Sequence, residues 1–328
     1  MIRNQWYVIL ESRELKKQKP LKLRRFGEKL SLWRDEKGEA SCIADRCCHR
    51  GASLSCGKII NGEIQCPFHG FTYDKSGKVT SVPANGKNAP VPKIIKVKSY
   101  STFEDHGLVW MWWGEEEKIQ EPPFFFQELK DFSYSTLTDH WNVHYSRAIE
   151  NQLDVVHLPF VHKTTIGRGN KTLVNGPVVV REKELLTFYV NNIVDDGKTK
   201  PLKPDQIPNY KKLFSLQFHY PNIWKNLISD KIRVFAAFVP VDEENTIVYI
   251  RYYQRIIKIP ILKELVNYIG KIASLVILRQ DKRVVITQLP KKSSIHSYET
   301  LIMGDLPIIE YRKYRQELIE RSEKNKEE

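Results

Sequence analysis

The chain has 328 residues, 41% of them hydrophobic, with 52 Lys+Arg against 39 Asp+Glu and five cysteines. That length holds one large or two ordinary domains, and 28% charged residues with 16 Gly and 17 Pro exclude fibrous and disordered classes. No apolar run approaches the ~18 residues a membrane-spanning helix needs, and Met1–Tyr7 carries one charge and no apolar core of a secretory signal. A soluble cytoplasmic protein with no membrane partner is expected. Of the net charge of +13, residues 1–114 hold 20 Lys/Arg against 11 Asp/Glu, or +9. This fits a solvated surface or an acidic docking partner equally well. No nucleic acid is expected, because no reader motif or basic–aromatic stripe accompanies the charge.

In chain order, residues 1–114 alternate short apolar runs with turn signals. Trp6–Leu10, Leu30–Trp33, Val79–Val82 and Leu108–Trp113 are separated by Gly27, Asn61-Gly62, Ser76-Gly77 and Asn85-Gly86. Asp74–Gly77 reads as a hairpin turn. A small all-β domain over 1–115 is predicted, with Glu115–Glu117 and Pro122-Pro123 marking its boundary. Residues 139–152 have helical character, and Pro159 predicts the break that follows. Strands return over 177–254, clearest at Leu213–Tyr220, Ile232–Val239 and Ile247–Tyr253, with Asp242–Asn245 as a hairpin connection. Leu262, Leu265, Val266, Ile269, Ile272, Ala273 and Val276 recur at helical spacing and predict a long amphipathic helix, apolar enough to be buried, reaching the 280s. A last helix is expected from Asp305-Leu306-Pro307, and a disordered tail from Lys324. The region 116–328 is therefore α+β, an antiparallel sheet flanked by helices.

All five cysteines (Cys42, Cys47, Cys48, Cys56 and Cys66) lie in the first 66 residues. An odd count in a chain of this kind argues against a disulfide framework, and nearby histidines argue for a metal. Cys47-Cys48-His49-Arg50-Gly51 is followed by Cys66-Pro67-Phe68-His69-Gly70. Two thiolates and two imidazoles suit either a tetrahedral zinc or a [2Fe–2S] cluster with thiolates on one iron and imidazoles on the other. Zinc fingers pair like ligands, whereas each half here mixes the types and ends in glycine, as two tight loops require. The pattern resembles the Rieske iron–sulfur domain through Cys47, His49, Cys66 and His69. Respiratory and photosynthetic Rieske proteins carry an extra, disulfide-forming cysteine in each loop. Ala52 and Phe68 occupy those positions here, which disfavours a quinol-oxidising carrier. Cys48 and Cys56 are read as packing or surface residues.

A second constellation runs from Glu150 to His162, with two carboxylates (Glu150, Asp154) and two imidazoles (His157, His162) in thirteen residues. On an unbroken helix the two imidazoles would stand ~140° apart; a break at Pro159 could bring both onto one metal, and a carboxylate would complete a two-His-one-carboxylate face. His106, His140, His219 and His296 are read as surface or hydrogen-bonded core. A Rieske motif followed by N-x-x-D-x-x-H-x₄-H resembles the catalytic subunit of Rieske non-haem iron oxygenases, of the trimeric α-only type. The resemblance implies a catalytic domain of helix-grip type and a third iron ligand on the long helix, assigned to Asp281 in Arg279–Val285. It implies that Asp154 bridges His157 to His69 of a neighbouring copy in a ring-shaped homotrimer, with Asn151 beside the iron. It implies Fe(II) as the mononuclear metal and O₂ as co-substrate.

The chain has no G-x-G-x-x-G after a strand and no plant-type ferredoxin motif. Electrons from NAD(P)H are therefore expected through a separate ferredoxin or flavin reductase. Its size is similar to that of the enzymes that hydroxylate or demethylate small organic, often aromatic, molecules. Monooxygenation is favoured over cis-dihydroxylation, and a bare Rieske electron carrier is the further alternative. Pocket residues are expected from strands in 190–250 and the helix before Asn151. Phe214, Phe218, Phe235 and Phe238 are assigned to the core.

Overall fold

The computed structural model describes residues 1–86, 88–122 and 127–324. They form two compact units that divide near residue 125. Pro123 of the expected boundary and residues 325–328 of the expected tail lie outside the described residues.

The first unit is all β. Its strands are β1 (Gln5–Glu11), β2 (Leu21–Arg25), β3 (Glu28–Arg34), β4 (Ala40–Ala44), β5 (Lys58–Ile60), β6 (Glu63–Gln65), β7 (Thr72–Tyr73), β8 (Val79–Ser81), β9 (Ser99–Tyr100), β10 (Thr102–Asp105) and β11 (Leu108–Trp113). They make three antiparallel sheets, ordered β1-β11-β10, β2-β3-β4-β9 and β5-β6-β7-β8. Every residue of β1 and β11 is buried, so Trp6–Leu10 within β1 and the whole of β11 read as continuous apolar runs rather than alternating ones. The turn expected at Asp74–Gly77 joins β7 to β8, the Gly77 amide donating to the Asp74 carbonyl.

The second unit contains β12 (Ser133–Trp141), α1 (Tyr145–Leu153), α2 (Leu158–Val161), β13 (Leu173–Glu182), β14 (Leu185–Ile193), β15 (Phe214–His219), β16 (Ile223–Ser229), β17 (Ile232–Pro240), β18 (Thr246–Gln254), α3 (Pro260–Val285) and α4 (Leu306–Lys324). The strands form one seven-stranded antiparallel sheet in the order β12-β18-β17-β16-β15-β14-β13, and α3 packs on β12 and β18. The fold is α+β, as the sequence predicts.

Three expectations are corrected. Asp139–Trp141 is strand, because β12 pairs with β18 along its whole length from Ser133 to Trp141, and that ladder outweighs local helical character. The helical break falls at Asp154, not at Pro159. Asp154 is extended (φ −79°, ψ 121°) and closes α1, while Pro159 lies in the first turn of α2, where its missing N–H costs nothing.

Helix α3 exists over the expected span but, against expectation, turns its apolar stripe outward. Its buried residues are Asn267, Gly270, Leu278, Asp281 and Val285. A Cβ at Gly270 would fall 2.2 Å from the Tyr252 ring, so only glycine allows this close seat on the sheet.

Candidate metal centres

The two cysteine–histidine loops are near copies of each other. The Cys47 amide donates to the Ala52 carbonyl and the Gly51 amide back to Cys47, at 2.8 and 2.9 Å. The Cys66 amide donates to Phe71 and the Gly70 amide to Cys66, at 2.8 and 3.1 Å. Gly51 and Gly70 both sit at positive φ, +75° and +73°, which explains the glycine after each motif. Cys47 and Cys66 are buried, whereas His49 and His69 are exposed, with ring centroids 4.6 Å apart. Thiols therefore lie inside and imidazoles face out. Burial pushes the Cys66 thiol up, opposed by the Phe68 and His69 amides; the thiolate form needs a cation here, and the donor set fits a cluster.

Two supports of these loops escape sequence reasoning. The Tyr73 hydroxyl lies 3.0 Å from Cys47 Sγ and 3.2 Å from Cys48 Sγ. Buried Asp45 accepts hydrogen bonds from the Ser31, Ser53 and Ser55 hydroxyls and from the Ser55 amide, tying β3 to the first loop. Cys48 and Cys56 are exposed and Cys42 is buried.

In the second unit the chain reverses at Asp154, whose Oδ1 accepts from the Val156 and His157 amides at 2.6 and 3.2 Å. This turn starts α2 and leaves His157 and His162 at its two ends. The rings approach to 5.1 Å between centroids. Asp281 on α3 completes a group. One donor atom from each of His157, His162 and Asp281 lies within 4.8 Å of the others. Asp281 Oδ1 is 2.9 Å from His162 Nε2 and 3.5 Å from His157 Nε2. Two ligands ~2.1 Å from one ion and at right angles stand about 3 Å apart, so these separations suit adjacent positions on a metal. Asp281 is buried and its Oδ1 has no hydrogen-bond partner, the condition of a carboxylate oxygen shaped for a cation.

The surroundings orient this group. His162 Nδ1 lies 2.8 Å from Gln280 Oε1, which also accepts from the Thr165 hydroxyl at 2.9 Å. Gln152 Nε2 donates to Asp281 Oδ2 at 3.4 Å. Burial pushes His162 down, but Asp281 and Gln280 outweigh it and hold the imidazole above its ordinary value. Burial pushes Asp154 up; the His157 ring, 3.5 Å away, and the two amides reverse this and hold its carboxyl low. Glu150, the other carboxylate of the motif, is engaged elsewhere: it pairs with Arg147 and, through both oxygens, with Arg312.

The histidine–aspartate group opens on a cavity of about 570 Å³. Its walls include Phe214, Leu216, Trp224, Val234, Ile250 and Ile277, and Asn151 and Asp154 also line it. Phe218, Phe235 and Phe238 are core as expected, but Phe214 lines the cavity. The contribution of α3 to the wall through Ser274, Ile277 and Leu278 was not legible in sequence, because only the tertiary seat of the helix exposes them there.

Two family models match the chain: the Rieske [2Fe-2S] domain over residues 5–101, and the vanillate O-demethylase oxygenase C-terminal domain over residues 141–321, more than half of its length. The chain belongs to the Rieske non-haem iron oxygenase family. Among relatives of this Rieske oxygenase chain, the chloroplastic chlorophyllide a oxygenase of Chlamydomonas reinhardtii is 35% identical over 169 residues, 51% of this chain and 26% of that protein. The toluene-4-sulfonate monooxygenase system iron-sulfur subunit TsaM1 of Comamonas testosteroni is 28% identical over 184 residues, 55% of this chain and 52% of that protein. The chain thus spans about half or less of the length of these relatives.

In fold, the Rieske oxygenase chain is similar to NdmA of Pseudomonas putida CBB5 (TM-score 0.80, 24% identity, 98% of this chain and 92% of that one). It is likewise similar to dicamba monooxygenase bound to dicamba (TM-score 0.75, 19% identity, 98% of both chains). No helix of the structure is long and apolar enough to cross a membrane, among the described residues.

Proposed function

We propose that this chain is the terminal oxygenase of a multicomponent system, with residues 1–115 as its Rieske domain and 116–328 as its catalytic domain. It hydroxylates a small, largely apolar substrate and, where the attacked carbon is an N- or O-methyl group, demethylates it. The observation that carries this reading is the convergence of His157, His162 and Asp281 at the mouth of an apolar cavity, with Asp281 Oδ1 unpartnered. Cys47, His49, Cys66 and His69 would hold a [2Fe–2S] cluster; His157, His162 and Asp281 would hold Fe(II). When bound, such an iron supplies activation of O₂.

The residues of the chain supply position. His162 donates from Nδ1 to Gln280 Oε1, which fixes the tautomer that leaves Nε2 free toward the metal. Gln152 holds the second oxygen of Asp281 and so fixes the carboxylate plane. Phe214, Leu216, Trp224 and Ile250 exclude water and lay an apolar substrate against the site.

Asp154 is about a quarter exposed and 3.5 Å from His157 Nδ1, which suits a carboxylate that hydrogen-bonds outward to His69 of a neighbouring copy in a homotrimer. Electrons come from NAD(P)H through a separate ferredoxin or flavin reductase. The +9 excess of residues 1–114 suits an acidic reductase surface. The cytoplasm is the proposed location.

The test is oxygen-dependent turnover with a surrogate reductase and a panel of aryl methyl ethers and N-methyl heterocycles, followed by formaldehyde release. His157→Ala is expected to abolish product while the visible spectrum of the cluster stays as in the parent. Product formation that survives this substitution contradicts the reading.

A further inference from the structure

We propose that the outer face of α3 is a docking surface for an anionic lipid membrane, independently of the chemistry proposed above. Ile261, Leu265, Tyr268, Ile269, Ile272 and Val276 are 85, 54, 60, 58, 41 and 45% exposed. At about 100° per residue they fall within an arc of about 100°, a ridge running four turns along the helix. Scattered exposed aliphatics are ordinary, but a contiguous stripe on one helix marks a contact surface.

The orientation is enforced from the other side. Asn267 is buried, its carbonyl accepting from the Ser135 hydroxyl at 2.7 Å and its Oδ1 from Ser133 at 3.2 Å. Gly270 sits against the Tyr252 ring where no Cβ fits. Small and polar residues thus seat α3 on the sheet, and the helix cannot roll its apolar stripe inward without losing both contacts.

Charge identifies the occupant. Arg255 and Lys258 precede the ridge, and Arg279 and Arg283 continue its line beyond Val276; all four are exposed. The one exposed acid on α3 is Glu264. A second copy bringing the same face by two-fold symmetry would set cations against cations at both ends, in either direction, and a neighbour in the proposed three-fold ring would have to bring an acidic apolar face to it, a case the native mass below separates. A surface of acidic headgroups satisfies the cations and receives the aliphatics and Tyr268 at the headgroup–acyl boundary, with α3 lying in the plane of the membrane rather than spanning it.

The experiment is flotation of the full-length, cluster-loaded protein with vesicles of phosphatidylcholine alone and of phosphatidylcholine with phosphatidylglycerol. Binding to the anionic vesicles is expected, weakening in high salt and lost in Leu265→Glu/Ile269→Glu, with the cluster spectrum and circular dichroism unchanged. Arg255→Gln/Lys258→Gln, which leaves the ridge intact, is expected to weaken binding roughly fivefold per cation removed.

Failure of the wild type to float with anionic vesicles overturns the proposal, as does undiminished binding by both variants. A fall in native mass of the Leu265→Glu/Ile269→Glu variant assigns the ridge to a second copy and overturns it equally. Retention on an acidic protein surface, with no vesicle binding, does the same.

Discussion

Asp281 Oδ1 stands 2.9 Å from His162 Nε2 and 3.5 Å from His157 Nε2, buried and without a hydrogen-bond partner. Its close neighbours are the two imidazoles; a buried carboxylate oxygen there is costly unless paired, and a divalent cation shared with both rings would pair it. Asp281→Ala is therefore expected to lose the mononuclear metal and all product formation while keeping the cluster, read as iron per chain alongside the visible spectrum. Gln280→Leu frees the His162 ring to turn, and should weaken metal affinity about 10–100-fold in an equilibrium titration. The histidines were legible in sequence because residue type and spacing within a motif report metal chemistry directly, whereas Asp281, over a hundred residues downstream, was reached only through the resemblance to the family. Gln280 was not, although it adjoins Asp281, because its role depends on the helix facing that presents it to His162 and Thr165. Gln152, Asp45 and Tyr73 were illegible for the same reason: each acts across a contact made only by the tertiary fold.

At the scale of elements, α1 is held by a buried ion-pair network. Arg147 and Arg312 enclose Glu150 at 2.7–3.0 Å, and both reach Glu299 at 2.6–2.7 Å. Glu150→Ala leaves two buried guanidinium groups to share Glu299 alone and should cost about 3 kcal/mol in chemical denaturation. Burial pushes Glu299 up, but the hydrogen bonds and charges of Arg147 and Arg312 outweigh it, so its native value is depressed. Such a carboxylate contributes stability above its unfolded value of about 4.3, and that stability is lost as pH falls through the lower native value. Glu299→Gln should flatten the loss of stability as pH falls below about 5, measured as denaturant midpoint against pH.

The strands of 213–253 were readable as apolar runs, the span of α3 from its helical spacing, and the start of α4 from Pro307 in its first turn. Three things were not: the strand at Asp139–Trp141, the break at Asp154 and the outward stripe of α3. Pairing with β18, the turn hydrogen bonds of Asp154 and the Gly270–Tyr252 approach decide these, and none leaves a periodic trace.

For the whole molecule, the proposed bridge from Asp154 to another copy's His69 requires an assembly. Light scattering should give three times 38.5 kDa for the purified protein. Asp154→Asn is expected to leave the trimer and both metal contents intact while slowing reduction of the mononuclear site in stopped-flow traces. Turnover with an acidic reductase should fall as ionic strength rises, since exposed charges are screened over about 10 Å at 0.1 M salt.

The most direct measurement is a count of iron, zinc and acid-labile sulfide per chain on anaerobically purified protein, with the EPR spectrum of the dithionite-reduced sample. The two centres described here predict about three irons and two sulfides, with a Rieske signal, and two irons with the same signal for Asp281→Ala. A protein that holds zinc, carries no sulfide and cannot be reconstituted with iron would contradict the account.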